Sequence, residues 1–182
     1  RSGLAGTSVF VTGNTGFKGS WLSIWLNRVG ACVTGYSLVP PTEVSNYETS
    51  RVRDLLVTQH VADVRDRAAL LTALEAARPD VVFHLAAQPL VFPSYEDPHD
   101  TFDIDVLGTS NLLDCIRTIG RPCAVVVVTS DKCYEDAEQA WGYRECDRLG
   151  GHDPYSASKA AQELVAASYR ASFFSADGMA KE

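Results

Sequence analysis

The sequence predicts an α/β fold built on a doubly wound parallel sheet. Three observations carry that prediction. Short apolar, β-rich runs alternate with stretches of helical periodicity. No hairpin signal separates them, so successive strands need crossovers. A glycine-rich turn joins the first such run to the first helix.

The elements run in order along the chain. Val9-Phe10-Val11 is the first strand. Leu22, Trp25, Leu26 and Val29 recur at helical spacing, and Gly30 ends that helix. Cys32-Val33-Thr34-Gly35-Tyr36 reads as the second strand, and residues 37 to 54, with two prolines, as mostly loop. Val57 to Val61 can form the third strand. Asp66 is placed to cap a helix carrying Leu70, Leu74 and Ala77, which stops before Pro79. Asp80 to Leu85 is the fourth strand. Phe102, Val106, Leu113 and Ile116 mark a long helix over 99 to 119, ended by Gly120. Ala124 to Thr129 holds four consecutive valines, the pattern of a strand buried on both faces. A loop over 131 to 152 precedes a last helix over 154 to 173.

Composition sets the bounds. The 182 residues suffice for one domain with a substantial core. A net charge of -7 argues against a nucleic-acid binder, which needs a basic footprint. No run of 18 apolar residues could span a membrane. The start has neither an initiator Met nor a signal-peptide core, and looks trimmed. Five scattered cysteines, without CxxC or zinc spacing, read as reduced thiols in a cytoplasmic protein, and no metal site is expected.

Gly13-Asn14-Thr15-Gly16-Phe17-Lys18-Gly19 places glycines at steps of three. A pyrophosphate needs backbone amides and a free helix N-terminus close by, where side chains would block the approach. A tight structural turn would use the same glycines. Position, directly after the first strand and opening the first helix, favours the phosphate reading. Lys18 is either a phosphate contact or a solvated lysine.

Tyr155 and Lys159 lie four apart in Asp153-Pro154-Tyr155-Ser156-Ala157-Ser158-Lys159, so they share a helix face. A phenol with a pKa of about 10 is a poor base at neutral pH. A neighbouring ammonium stabilises the phenolate, which can then take a proton from a hydroxyl while hydride leaves. The fifth strand runs out into Ser130-Asp131-Lys132, where an open α/β sheet places its chemistry. An acid beside a possible base suits elimination of water; a turn with a surface ion pair is the equal alternative.

Together these motifs resemble the extended short-chain dehydrogenase/reductase family, a Rossmann-type fold, and within it the CDP-glucose 4,6-dehydratases. The stretches that carry the likeness run from Val11 to Leu22, His84 to Val91, Thr129 to Tyr134, Trp141 to Glu145 and Gly150 to Ser156, leading into Lys159. The resemblance implies NAD as cofactor and CDP-glucose as substrate. It implies C4 oxidation with Tyr155 as base and Ser130 holding the hydroxyl. Water is then lost across C5 and C6, with Lys132 as candidate base and Asp131 as acid, and hydride returns to C6. The product would be a precursor of deoxy sugars in bacterial surface polysaccharides such as the lipopolysaccharide O-antigen. Related dTDP-glucose dehydratases carry Asp-Glu where this chain has Asp131-Lys132, which favours the CDP-sugar branch.

By the same resemblance Gly13, Asn14, Gly16, Phe17, Lys18, Gly19, Asp63, Val64, Ala86, Ala87, Tyr155 and Lys159 meet NAD. The two long helices pair into a dimer-forming bundle, giving a homodimer or a dimer of dimers. Residues 1–182 form an incomplete NAD-binding domain, and the nucleotide-sugar-binding part is expected beyond Glu182. Three positions depart from the family pattern. Asn14 stands where His is frequent, and Asp105 where Asn is usual. No acid follows Tyr36, so NAD over NADP rests on the resemblance and not on a ribose-binding carboxylate. An NAD-dependent nucleotide-sugar epimerase and a non-catalytic NAD-binding module are the competing readings.

Overall fold

The computed structural model describes residues 3–174 and divides the chain into two compact units. The first comprises the residues up to Ala86 together with Asp114–Val128. The second comprises Ala87–Leu113 and the chain from Thr129 onward.

The first unit is the sheet and its helices. Strands β1 (Ser8–Thr12), β2 (Cys32–Ser37), β3 (Thr58–Val61), β4 (Val81–His84) and β5 (Ala124–Val127) form one sheet in the order β3-β2-β1-β4-β5. Every pairing is parallel, with Val9 beside both Val33 and Val81, and Val82 beside Val125. Parallel strands need crossovers: α1 (Phe17–Arg28) links β1 to β2, and α3 (Arg67–Ala77) links β3 to β4. The chain steps from β1 outward through β2 and β3, then returns to add β4 on the other side of β1. The carboxyl ends of β1 and β4 therefore form the topological switch point, where such sheets bind ligands.

Alternation along β1 builds a core on each face. Val9 and Val11 join Val33, Leu26 of α1 and Val52 in one fully buried cluster. Phe10, Val82, Leu70 and Leu74 are also fully buried, and Phe10 packs on Tyr36 at 5.9 Å between ring centroids. The expected cap on α3 is present, with the Asp66 carboxylate accepting from Ala69 N at 3.0 Å.

Residues 37 to 54 are mostly loop, as expected, but they also hold α2 (Asn46–Thr49) and the start of a 3₁₀ turn (Val52–Leu55), which bury Tyr47 and Val52. The signal for α2 is Ser45 followed three residues on by Glu48, and the Ser45 side chain accepts from Glu48 N at 3.2 Å. One expectation needs correction in this unit: the valine run of β5 is not buried on both faces. Among the described residues β5 is an edge strand paired only with β4, and Val126 is 44% exposed.

The second unit is helical. α4 (Val91–Glu96) precedes α5 (Pro98–Phe102), which continues through a π turn (Asp103–Leu107) into α6 (Gly108–Ile119), whose residues from Asp114 on belong to the first unit. The long helix expected over 99 to 119 is thus present with a wider turn inside it. A 3₁₀ turn (Asp131–Cys133) packs against α7 (Pro154–Tyr169), which runs on into a π turn (Arg170–Phe174). The expected loop between them closes on itself. Tyr134 bridges Leu149, Gly150 N bonds Cys133 O at 2.9 Å, and the Tyr134 and Tyr143 rings stack at 5.2 Å.

The glycine turn is the tightest packing in the first unit. Gly13 has φ +70°, and a Cβ there would lie 2.7 Å from Ala86 N. A Cβ on Gly19 would lie 2.1 Å from Gly13 O, so α1 can start this close to β1 only without one. Gly16 differs, because a Cβ there would meet only Gly13 O at 3.3 Å. Urea denaturation should therefore show Gly19→Ala losing about 1–3 kcal/mol or more from overpacking. Gly16→Ala should lose under about 1 kcal/mol. Equal losses would mean that the turn packs differently.

Candidate active site

On the first unit, the glycine turn offers an open helix end. Gly16 caps α1 in an extended conformation with no side-chain hydrogen bond, and no acid occupies the first turn. The first amides of α1 have no partner within the helix, and its positive end is not offset by a carboxylate. Phe17 and Lys18 are exposed beside it. The open face of Gly16 and these amides fit a pyrophosphate.

The other residues of this region hold the turn in place. Asn14 is fully buried and pairs with Gln59 of β3, donating at 2.6 Å and accepting at 3.3 Å. Its side chain is thus spent on the sheet, leaving its backbone for a ligand. Thr15 donates to Leu38 O at 2.9 Å. Thr12 Oγ1 accepts from both Leu85 N and Ala86 N at 3.1 Å, so its own proton goes to His84 Nδ1, 2.7 Å away. A hydroxyl has one donor and two acceptor sites, so this arrangement fills it and puts the His84 proton on Nε2. Sequence reasoning passed over Thr12, Gln59 and His84, because buried polar pairing between strands leaves no periodic signature.

Asp63 follows β3, where its carboxylate is gripped by Arg65, with Nη2 at 2.7 Å and the Arg65 amide at 2.9 Å. That hydrogen bonding holds the carboxyl below its ordinary value against the opposing effect of burial. Val64 is buried beside it. No acid ends β2; instead the Tyr36 hydroxyl donates to Asp63 O at 2.9 Å. Burial, with Asp66 and Asp63 nearby, pushes that phenol up to about 12. Ala86 is half-buried at the end of the first unit.

The second unit gathers Ser130, Asp131, Lys132, Tyr155 and Lys159. Ala87 opens this unit and is half-buried. Ser130 caps the 3₁₀ turn, accepting from Lys132 N at 3.2 Å and donating to Asp131 Oδ1 at 3.0 Å. Asp131 and Lys132 are exposed. The turn packs against α7, whose start is fixed by Asp153. That carboxylate accepts from Ser156 N at 2.9 Å and Ser156 Oγ at 2.6 Å, and Pro154 follows at the first helical position. Burial would raise the Asp153 carboxyl, but the Ser156 bonds outweigh it, with help from the Lys132 ammonium, so it sits below its ordinary value. Lys132 therefore lies near the start of α7.

Lys159 is 3% exposed, with its ammonium 5.6 Å from the centre of the Tyr155 ring. It forms an ion pair with Asp105 at 3.1 Å and donates to Gln162 Oε1 at 2.8 Å. The Gln162 amide donates to Thr109 Oγ1 at 2.7 Å, and Thr109 donates to Asp105 O at 2.6 Å. Burial pushes the ammonium down, and the Asp105 charge opposes that. Among the described residues, two of its three N–H donors are taken. Sequence reasoning missed Ser158, Gln162 and Thr109. A signal existed: Tyr155, Ser158, Lys159 and Gln162 fall at i, i+3, i+4 and i+7, one polar face on a helix that buries it.

Strand order, glycine turn and a buried lysine against a tyrosine one turn away define a Rossmann-type protein of the extended short-chain dehydrogenase/reductase class. The chain belongs to the GDP-mannose 4,6 dehydratase family, whose model matches residues 10–176. It is 52% identical over 169 residues to a CDP-glucose 4,6-dehydratase of Salmonella typhimurium, covering 93% of this chain and 47% of that protein. Among solved structures it resembles the Thermus thermophilus UDP-glucose 4-epimerase complex with NAD, with TM-score 0.78 and 29% identity, covering 91% of this chain and 51% of that one. Pal from Bacillus thuringiensis gives TM-score 0.80 at 28% identity, covering 91% and 52%. The chain spans about half the length of these proteins.

Two stability outcomes are expected. Asp153→Ala should lose about 1 kcal/mol at neutral pH. The folded state binds fewer protons than the unfolded one here, so the wild-type advantage should fade as pH falls below 3.8, in denaturation curves taken at several pH values. Lys159→Met leaves Asp105 charged and buried, and should lose about 3–5 kcal/mol by urea titration. Adding Asp105→Asn should restore most of it, because both charges are then gone.

Proposed function

We propose that this protein is an NAD-dependent CDP-glucose 4,6-dehydratase, a hydro-lyase, and that residues 1–182 are its NAD-binding portion. One observation carries the reading: the Ser130-Asp131-Lys132 turn packs against the helix that buries the Lys159 ammonium beside Tyr155. Identity of 52% to a CDP-glucose 4,6-dehydratase supports the substrate.

The glycine turn and the free end of α1 would hold the pyrophosphate of NAD, with Asp63 and Val64 at its adenine. When bound, NAD supplies the acceptor for hydride from C4 and the donor that returns it to C6, so the reaction is redox-neutral. Tyr155 takes the proton of the C4 hydroxyl, and the Lys159 charge stabilises the phenolate that does so. Ser130 holds that hydroxyl. With C4 a ketone, the proton on C5 becomes acidic; Lys132 removes it, and Asp131 protonates the departing C6 hydroxyl. One water leaves; as hydride returns to C6, the proton held by Lys132 goes back to C5, and the product is CDP-4-keto-6-deoxyglucose.

The protein acts in the cytoplasm as a homodimer or a dimer of dimers. Phe102, Leu107 and Leu164 are exposed on the helices assigned to that interface, which supports the reading. No helix among the described residues is long and apolar enough to cross a membrane.

The test is turnover of CDP-glucose, dTDP-glucose and UDP-glucose by the intact protein, with products identified by mass and NMR. Loss of one water from CDP-glucose, with no net NADH, is expected. Tyr155→Phe should lower kcat by roughly 10²–10⁴-fold while NAD remains bound. No dehydration of any of the three, with NAD bound, would sink the reading in favour of an epimerase or a cofactor-binding module.

A further inference from the structure

We propose that Asp105 is a positioning residue that holds the Lys159 ammonium charged and in place, and thereby sets the pH range in which Tyr155 can accept a proton. The inference rests on the reading of Tyr155 as the base.

The geometry begins with the backbone. Gly108 N bonds Asp103 O, five residues back, so the helix is wider through Asp103–Leu107 than an α-helix. Asp105 sits at the centre of that turn and is fully buried. Its carboxylate is met by donors on both oxygens. Oδ1 accepts from Gln88 N at 2.8 Å. Oδ2 lies 2.7 Å from Ser158 Oγ and 3.1 Å from Lys159 Nζ. An acceptor-only group suits such a site. A side-chain amide would set its own N–H₂ against one of these donors whichever way it turned.

Asp105 also closes a ring through its backbone carbonyl. Lys159 donates to Gln162, Gln162 to Thr109, and Thr109 back to Asp105 O. Each member is at most 3% exposed, so no bulk water can replace a missing partner. An ammonium this deeply buried discharges without a counter-charge. The elements packed on α7 carry other titratable groups: Asp131, Lys132 and Cys133 in the 3₁₀ turn, His99 and Asp100 in α5, Tyr95 and Glu96 in α4, Asp103 in the first π turn and Arg170 in the second. On α7 itself are Tyr155, Glu163 and Tyr169, and Glu163 accepts from Thr129 Oγ1 at 2.5 Å. Asp105 is the carboxylate within ion-pair distance of Lys159. Remove its charge and the lysine goes neutral, and the phenolate of Tyr155 loses the cation that stabilises it.

The experiment is a pH titration of tyrosine ionisation by ultraviolet difference absorbance on the intact protein, without substrate. Subtraction of a Tyr155→Phe variant isolates the Tyr155 signal. With Asp105→Asn, that signal should appear at least about one pH unit higher than in wild type, or leave the accessible range. Lys159→Met should shift it the same way, and adding Asp105→Asn to Lys159→Met should shift it no further. Asp105→Ser, which leaves room for water to serve the same donors, is read alongside and replaces the asparagine protein if that does not fold. An unchanged midpoint would overturn the proposal. So would a downward shift, which would mean that the carboxylate acts on the phenol directly. So would a further shift from Asp105→Asn in the Lys159→Met background. The titration needs no turnover, so it can fail in a protein that dehydrates CDP-glucose and succeed in one that does not.

Discussion

A lysine ammonium cannot leave water without something to answer its charge. In this chain the answer to Lys159 organises the second unit. Asp105 must be at hand, so the helix that carries it takes a wider turn. Gln162 and Thr109 must complete the donors and acceptors, so α7 and α6 face each other through polar residues where apolar ones would be expected. The Tyr155 ring then lies over a charge whose position is fixed by Asp105, Gln162 and Thr109. The polar interior is paid for in desolvation, and its return is a defined place for one cation.

The first unit solves a different problem. An anion must approach backbone amides, which requires a turn without side chains, yet the turn must not collapse or swing. Two glycines let β1, the β4 exit and α1 come closer than any Cβ permits. The third, Gly16, leaves the outer side open. Asn14 and Thr15 point the opposite way and tie the turn to β2 and β3. The turn is stiff on its inner side and bare on its outer side.

Much of this was legible in the sequence because it is local. The glycine spacing after a short apolar strand, Asp66 as a cap, Gly30 ending α1 and the Tyr155-Lys159 spacing all depend on residues within a few positions of each other. The rest was not local. Burial of β5 depends on its rank in the sheet, which the valine run cannot report. Pairing of Asp105 with Lys159 spans 54 positions and depends on a turn type with no composition signal. Thr12 to His84 is a contact between strands, and Asn14 to Gln59 one between the turn and β3. Ser45 with Glu48 was the exception: a local signal stood in the sequence, and the prolines nearby obscured it.

The wide turn has an evolutionary reading. A π turn is the result when one residue is inserted into an ordinary α-helix and the hydrogen bonds re-form around it. Loss of a single residue between Asp103 and Leu107 would give a more regular helix, and rotate α5 by about 100° relative to α6. Asp105 and Lys159 could not then both keep their present partners. The irregularity would be preserved against a simpler helix only while the ion pair matters, so chain length across this turn is itself a marker of the site.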